Sequence, residues 1–271
     1  MPAVDVIYYT DPLCSWSWAF EPVWRRLRYE LGDQLAWRYR MGGMIPDWRH
    51  YADPLNDVAS PAHVGPQWLE VSRLSGMPIE PRIWHDDPPA SSYPACLAVK
   101  AAELQGRGAG ERYLRRAREA VMLEQRNIAR RSVLLELAEE LSGTGGRDAA
   151  GGEALDVEAF SRALDDGDAL AALRADLQDV KYREIGRFPT LVVRGREARG
   201  VVIVGYRPYA VLLEAVRQVA GTSLAIGAPA PTAAKYAAFW RSVTGRLTAR
   251  EIAAVCGAGA DASTPDSEAI A

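Results

Sequence analysis

The sequence predicts an α/β fold in which a block of helices interrupts an otherwise ordinary strand-and-helix unit. Three observations predict it. An apolar, β-branched segment at residues 4–10 is followed by helical periodicity and then by a second strand-like segment, Leu35–Arg40, which is a β-α-β beginning. Five helical stretches succeed one another between residues 91 and 182. Two short apolar runs, Phe188–Arg194 and Arg199–Gly205, and a closing helix at Tyr209–Val219 then resume the sheet as a hairpin followed by a helix.

Each element has a local cause. Asp11-Pro12 ends the first strand, because Pro12 lacks an amide hydrogen and restricts the residue before it. From Ser15 onward Trp16, Phe20, Val23, Trp24 and Leu27 recur at helical spacing, and Pro22 inside that run predicts a kink. Gly42-Gly43 breaks the second strand. Residues 46–90 show little periodicity and read as loops with one short helix near Gln67–Ser75. Helices are expected at Ser91–Gln105, Glu111–Gln125, Ser132–Ser142, Val157–Leu164 and Leu170–Tyr182, with a low-complexity, mobile loop at Gly143–Gly152. Beyond Gly221 a Pro/Ala/Gly linker at 225–231 leads to helices at Ala233–Ser242 and Thr248–Cys256 and a small, acidic, disordered tail at 258–271. Leu247–Gly257 is similar to the first half of a helix-turn-helix, but no recognition helix follows, so a helical cap or interaction tail is expected there.

Composition excludes several classes. Across 271 residues, 48% are hydrophobic and 25% charged, the balance of an ordinary globular protein. With 32 Lys and Arg against 35 Asp and Glu, the net charge of −3 gives no field for nucleic acid or an anionic membrane. No apolar run is long enough for a transmembrane helix or a signal peptide, so a cytoplasmic protein is expected. Three cysteines, Cys14, Cys96 and Cys256, are too few for a disulfide framework, and with His50, His63 and His85 they make no tetrahedral zinc set. The arginines at 112, 115, 116, 118, 126, 130 and 131 alternate with glutamates and read as a solvated helix face. Seven of eight tryptophans fall within residues 16–84; core packing accounts for most of them, and an aromatic-binding groove is the alternative.

Two patches carry chemistry. In Asp11-Pro12-Leu13-Cys14-Ser15-Trp16-Ser17, a cysteine between strand and helix faces unpaired backbone amides, which lowers a thiol pKa, and the Ser17 hydroxyl lies one turn on. A buried, inert cysteine at a strand–helix junction is the competing account. In Phe188-Pro189-Thr190 a proline opens an apolar strand, which its missing donor permits at a strand start.

Together with Met41-Gly42-Gly43-Met44 and Tyr93-Pro94-Ala95-Cys96, these patches resemble the DsbA family of thiol–disulfide oxidoreductases, nearest its cytoplasmic branch of predicted dithiol–disulfide isomerases. The resemblance covers roughly residues 4–220. It implies a thioredoxin-like fold (1–90 and 187–221) with an inserted all-helical domain (91–186), while 222–271 form a linker, a small C-terminal helical extension and the tail. It also implies that Cys14 is the nucleophile, that Pro189 is a cis proline, and that Trp16, Phe188, Pro189 and Thr190 shape the substrate groove. Glu21, in Phe20-Glu21, is implied to tune the thiolate from Cys14's helix face, or is a solvated surface glutamate.

The family motif Cys-x-x-Cys is here Cys-x-x-Ser, because Ser17 stands at the second position. Ser17 cannot resolve a mixed disulfide. The leading expectation is therefore a monothiol oxidoreductase or isomerase, freed by an external thiol such as glutathione as co-substrate, with a thiol-containing protein or glutathione as partner. Cys96 could resolve, or simply pack its helix. The alternatives are a non-catalytic adaptor on the same fold, of the protease-adaptor type, and a glutathione-dependent transferase or isomerase similar to the kappa class, whose members carry serine at the Cys14 position. No resident cofactor or metal is expected, and the oligomeric state is left open.

Overall fold

A computed structural model describes residues 2–49, 51–143, 154–195, 200–221, 224 and 232–255. Strand β1 (Val4–Thr10) runs parallel to β2 (Leu35–Met41) and antiparallel to β3 (Thr190–Arg194), which pairs antiparallel with β4 (Gly200–Val204). The order β2-β1-β3-β4 puts β1 at the centre, and its near-continuous burial follows from coverage on both faces. The α/β architecture with a helical block between its second and third strands is thus present.

On the first sheet face, Val6, Tyr8, Leu191 and Ile203 meet helices α1 (Ser15–Ala19), α2 (Glu21–Leu31) and α10 (Tyr209–Ala220). Pro22 does not kink a single helix there. α1 ends at Ala19, and Pro22 sits in the first turn of α2, where its missing amide hydrogen costs nothing. Cys14 and Glu21 consequently belong to different helices rather than to one helix face.

The aperiodic stretch contains more helix than expected. α3 spans Val64–Ser75 and α4 spans Ile83–Asp86, because Trp68 and Trp84 are buried edge-to-face at 5.2 Å and tertiary packing supplies what periodicity lacks. The helical block comprises α5 (Tyr93–Glu103), α6 (Arg107–Leu123), α7 (Arg131–Glu140), α8 (Val157–Asp165) and α9 (Asp168–Tyr182). α9 crosses the second sheet face, where Val180 and Ile185 cover Ile7, Tyr9 and Val192. Two further helices, α11 (Ala233–Thr244) and α12 (Ala249–Ala253), pack on α6 and α2. The loop expected at Gly143–Gly152 lies, beyond Gly143, outside the described residues, as do the linker at 225–231, His50, Arg199, Cys256 and the tail at 258–271.

The arginine-rich helix corrects an expectation. Arg115 and Arg118 on α6 are buried rather than solvated. Both point into the seam between α6, α2 and α12, where Glu21, Glu119 and Glu251 are also buried. Three buried carboxylates against the guanidinium groups of Arg25, Arg115 and Arg118 leave that seam neutral, which is the condition for burying charge at all.

Candidate functional site

The site begins where β1 ends. Asp11, fully buried, accepts from the Leu13 amide at 2.9 Å and the Met44 amide at 2.7 Å, and so ties the loop after β1 to the loop after β2. That tie places Cys14 as the N-cap of α1, its extended backbone turning into the helix and its sulfur accepting from the Ser17 amide at 3.3 Å. From the other side, the Cys14 thiol donates to the carbonyl of Phe188 at 3.4 Å. The peptide between Phe188 and Pro189 is cis. Pro189 is buried; the Gly205 amide holds its carbonyl at 2.7 Å, and the Thr190 hydroxyl holds the Arg187 carbonyl at 2.7 Å. The chain therefore brings Cys14, Ser17, Phe188, Pro189 and Thr190 together, although 171 residues separate Ser17 from Phe188.

The electrostatics differ from the simple helix-terminus expectation. Burial pushes the Cys14 thiol up, the hydroxyl and amide of Ser17 pull it down, nearby Asp11 pushes up again, and Arg118 pulls down. Burial wins, because Cys14 is only 4% exposed and α1 is five residues long. The Ser17 oxygen, also buried, makes no hydrogen bond of ordinary geometry, but its dipole still favours the thiolate. Cys96 is buried on α5 and donates to Asp11 at 3.4 Å; burial pushes that thiol well up.

Glu21 is neither a solvated surface group nor a neighbour on the helix of Cys14. It is buried, paired with Arg25 at 2.9 Å and bonded to Arg118, whose guanidinium also donates to Thr10. Burial would raise the Glu21 carboxyl, yet Arg25, Arg118 and Arg115 outweigh burial and hold it at about 2. Among the groups acting on the Cys14 thiol, Arg118 is the one that contacts Glu21. Sequence reasoning missed Arg118: its spacing from the glutamates matches an exposed helix, and only docking of α6 under β1 buries it.

Tyr206 and Tyr51 were missed as well, and Gly42 reads in the sequence only as a strand breaker and as part of the Met41–Met44 motif. Half-buried Trp16 packs on Tyr206 in a tilted pair with ring centroids 5.7 Å apart, while half-buried Phe188 packs on the cluster of Ile7, Tyr9 and Val192. A Cβ on Gly42 would lie 2.2 Å from the Phe188 ring, so this glycine is what lets that ring close over the loop. Burial, reinforced by Asp53 and then Cys14, pushes the Tyr51 hydroxyl up to about 12. Among the described residues no group of acids, histidines and cysteines could hold a metal, and no helix is long and apolar enough to cross a membrane. His63 and His85 are exposed, bonded to Ala59 and Asp86, and far from this chemistry in kind.

Residues 8–214 match a family model described as thioredoxin. The chain is 31% identical over 220 residues to the ClpXP adapter protein SpxH of Halalkalibacterium halodurans, covering 80% of this chain and 68% of that protein. It is 30% identical over 222 residues to the ClpXP adapter protein SpxH of Bacillus subtilis, with 80% and 68% covered. In fold it is similar to the cytosolic disulfide reductase DsbM of Pseudomonas aeruginosa, at 24% identity and a TM-score of 0.56 over 81% of this chain and 96% of that one; DsbM is also solved with GSH.

Proposed function

The chain belongs to the thioredoxin family, and from that premise and the geometry at Cys14 we propose that it is a protein-binding adaptor of the cytoplasm. It holds a partner polypeptide against the face formed by Trp16, Phe188, Pro189, Thr190 and Tyr206. One observation carries this reading: Cys14 is 4% exposed, with its thiol committed to the Phe188 carbonyl and raised by burial, and the residue one turn on is a serine. A dithiol cycle needs a second thiol to release the mixed disulfide. Ser17 has none, and Cys96 spends its thiol on Asp11 in the core. Half-buried aromatic rings such as Trp16 and Tyr206 are the side chains that anchor interfaces. The name ClpXP adapter, carried by relatives about 30% identical, supports the same reading.

A specific observation favours a second reading, monothiol exchange. The Ser17 amide and the Arg118 charge both stabilise a thiolate at Cys14. In that reading the Cys14 thiolate attacks one sulfur of a partner disulfide, forming a new sulfur–sulfur bond as the old one breaks and the departing thiolate takes a proton. An external thiol such as glutathione then attacks the partner sulfur, frees Cys14 and leaves as a mixed disulfide with the partner.

Affinity capture with the whole chain and with Cys14→Ala separates the two. The adaptor reading expects the same partner at the same yield without Cys14 and its loss in Trp16→Ala. It also expects alkylation of Cys14 to titrate above the ordinary thiol value of about 8.5. Mixed disulfides trapped only when Cys14 is present, together with an alkylation midpoint below about 8.5, would overturn it in favour of exchange.

A further inference from the structure

The second sheet face is only partly covered. α9 lies over β2 and β1 and ends at Tyr182, which is 84% exposed, before reaching edge strand β4. The register sets Val202 opposite Val192 and Val204 opposite Thr190, so both valines project from this same face. They are 57% and 41% exposed. Between the end of α9 and β4 lies a groove of about 730 Å³ with an apolar floor of Ile185, Val192 and Val202, walled by Tyr182, Arg183 and Arg194.

Among the described residues the unpaired charge lining this groove is positive. Arg194, on the groove wall, is exposed and has no carboxylate partner among the described residues. Arg183 shares Asp179 with Tyr9 and Arg40. Asp5, opposite Arg194 in register, binds Arg38 instead. Glu184 faces the neighbouring hollow beside Gly42 and Leu177. An aliphatic floor walled by Arg183 and by Arg194, which has no carboxylate partner among the described residues, complements one kind of occupant, a strand-like segment that alternates aliphatic and acidic residues. The strand that floors the groove leads toward the Cys14 site, since β4 ends at Val204, next to Gly205, whose amide holds the Pro189 carbonyl at 2.7 Å.

We infer that this groove docks an extended acidic segment of the partner polypeptide, with aliphatic side chains on Val202 and Val204 and a carboxylate at Arg194. The identity of the occupant as part of a partner rests on the adaptor reading; the groove's preference for such a segment does not. Binding also covers an exposed row of branched residues on an edge strand, the feature most prone to unwanted pairing.

The test uses the full chain with methyl-labelled Val and Ile and an acetylated octapeptide of alternating Glu and Val as the probe. Saturable shifts confined to Ile185, Val192, Val202 and Val204 are expected, with affinity falling about tenfold in Arg194→Glu, as loss of a complementary charge requires. Val202→Asp should abolish binding, and Val202→Thr, which keeps strand propensity, should weaken it. The inference is overturned if shifts fall elsewhere or are absent, or if a Lys-Val octapeptide binds equally. It is also overturned if sedimentation shows a dimer that Val202→Asp dissociates, since the occupant is then a second copy. Loss of partner capture in Trp16→Ala with peptide binding intact, or the reverse, tells failure of one reading from failure of the other.

Discussion

At the scale of single residues, Glu21 shows how a buried charge is kept. Its carboxyl lies among Arg25, Arg115 and Arg118, and their attraction exceeds the cost of burial, holding it at about 2 against an ordinary 4.5. A group depressed on folding contributes stability that is complete above its unfolded value and is lost as pH falls toward its folded one. Stability is therefore expected to fall between about pH 5 and pH 2 by a share of about 3 kcal/mol that belongs to Glu21. Glu21→Gln should be destabilised near neutrality, and urea titrations across that range should show its deficit shrinking with acidification. A deficit independent of pH would mean that the arginines do not hold this carboxylate. Seven residues separate Glu21 from Cys14, which is legible in the sequence; that Arg118, nearly a hundred positions on, mediates between them is not.

At the scale of elements, the loop carrying Gly42 and the strand opening at Thr190 fit by omission of a side chain. The Phe188 ring sits where a Cβ on residue 42 would be, 2.2 Å away, and the Phe188 carbonyl accepts from the Cys14 thiol. Gly42→Ala must displace that ring, and with it the carbonyl that occupies the thiol. Cys14 alkylation at pH 8 is expected to accelerate several-fold, roughly what losing one weak hydrogen bond and its cover supplies, with unchanged far-ultraviolet circular dichroism. An unaltered rate would show that Phe188 does not control access. The strand and helix carrying these residues were readable from alternation and periodicity. The break between α1 and α2 was not, because proline is equally at home opening a helix and kinking one. α3 and α4 were underestimated for another reason: their tryptophans pack on each other across the chain rather than along one helix.

At the scale of the whole molecule, the two C-terminal helices complete a charge balance begun in the strand-and-helix unit. Glu251, capped into α12 by Thr248, accepts two bonds from Arg115 at 3.0 Å and pairs with Arg25 at 3.1 Å, while Trp240 of α11 lies under the Arg25 guanidinium at 4.9 Å. Removing one partner of a buried pair leaves the other charged and dry, at a cost of about 3–5 kcal/mol. Glu251→Ala is expected to lower the unfolding free energy measured by urea titration by that amount, whereas Arg73→Ala, in an exposed pair with Glu70, should change it little. Equal effects would deny the extension a role in holding α2 to α6.

The sequence by itself determined the order of the strands and the place of the helical block among them, the position of Cys14 between strand and helix, the serine at the resolving position and the proline opening β3. These are local matters, set by periodicity, by breakers and by the identities of neighbouring residues. Only the tertiary structure decided whether the thiol is poised or sheltered, because burial and the Phe188 carbonyl reach Cys14 from elements distant in the chain. It likewise decided which arginines are core and which are rim. Arg118 and Arg194 are indistinguishable as residues in a charged neighbourhood, and they differ only in whether packing removes water and supplies a carboxylate.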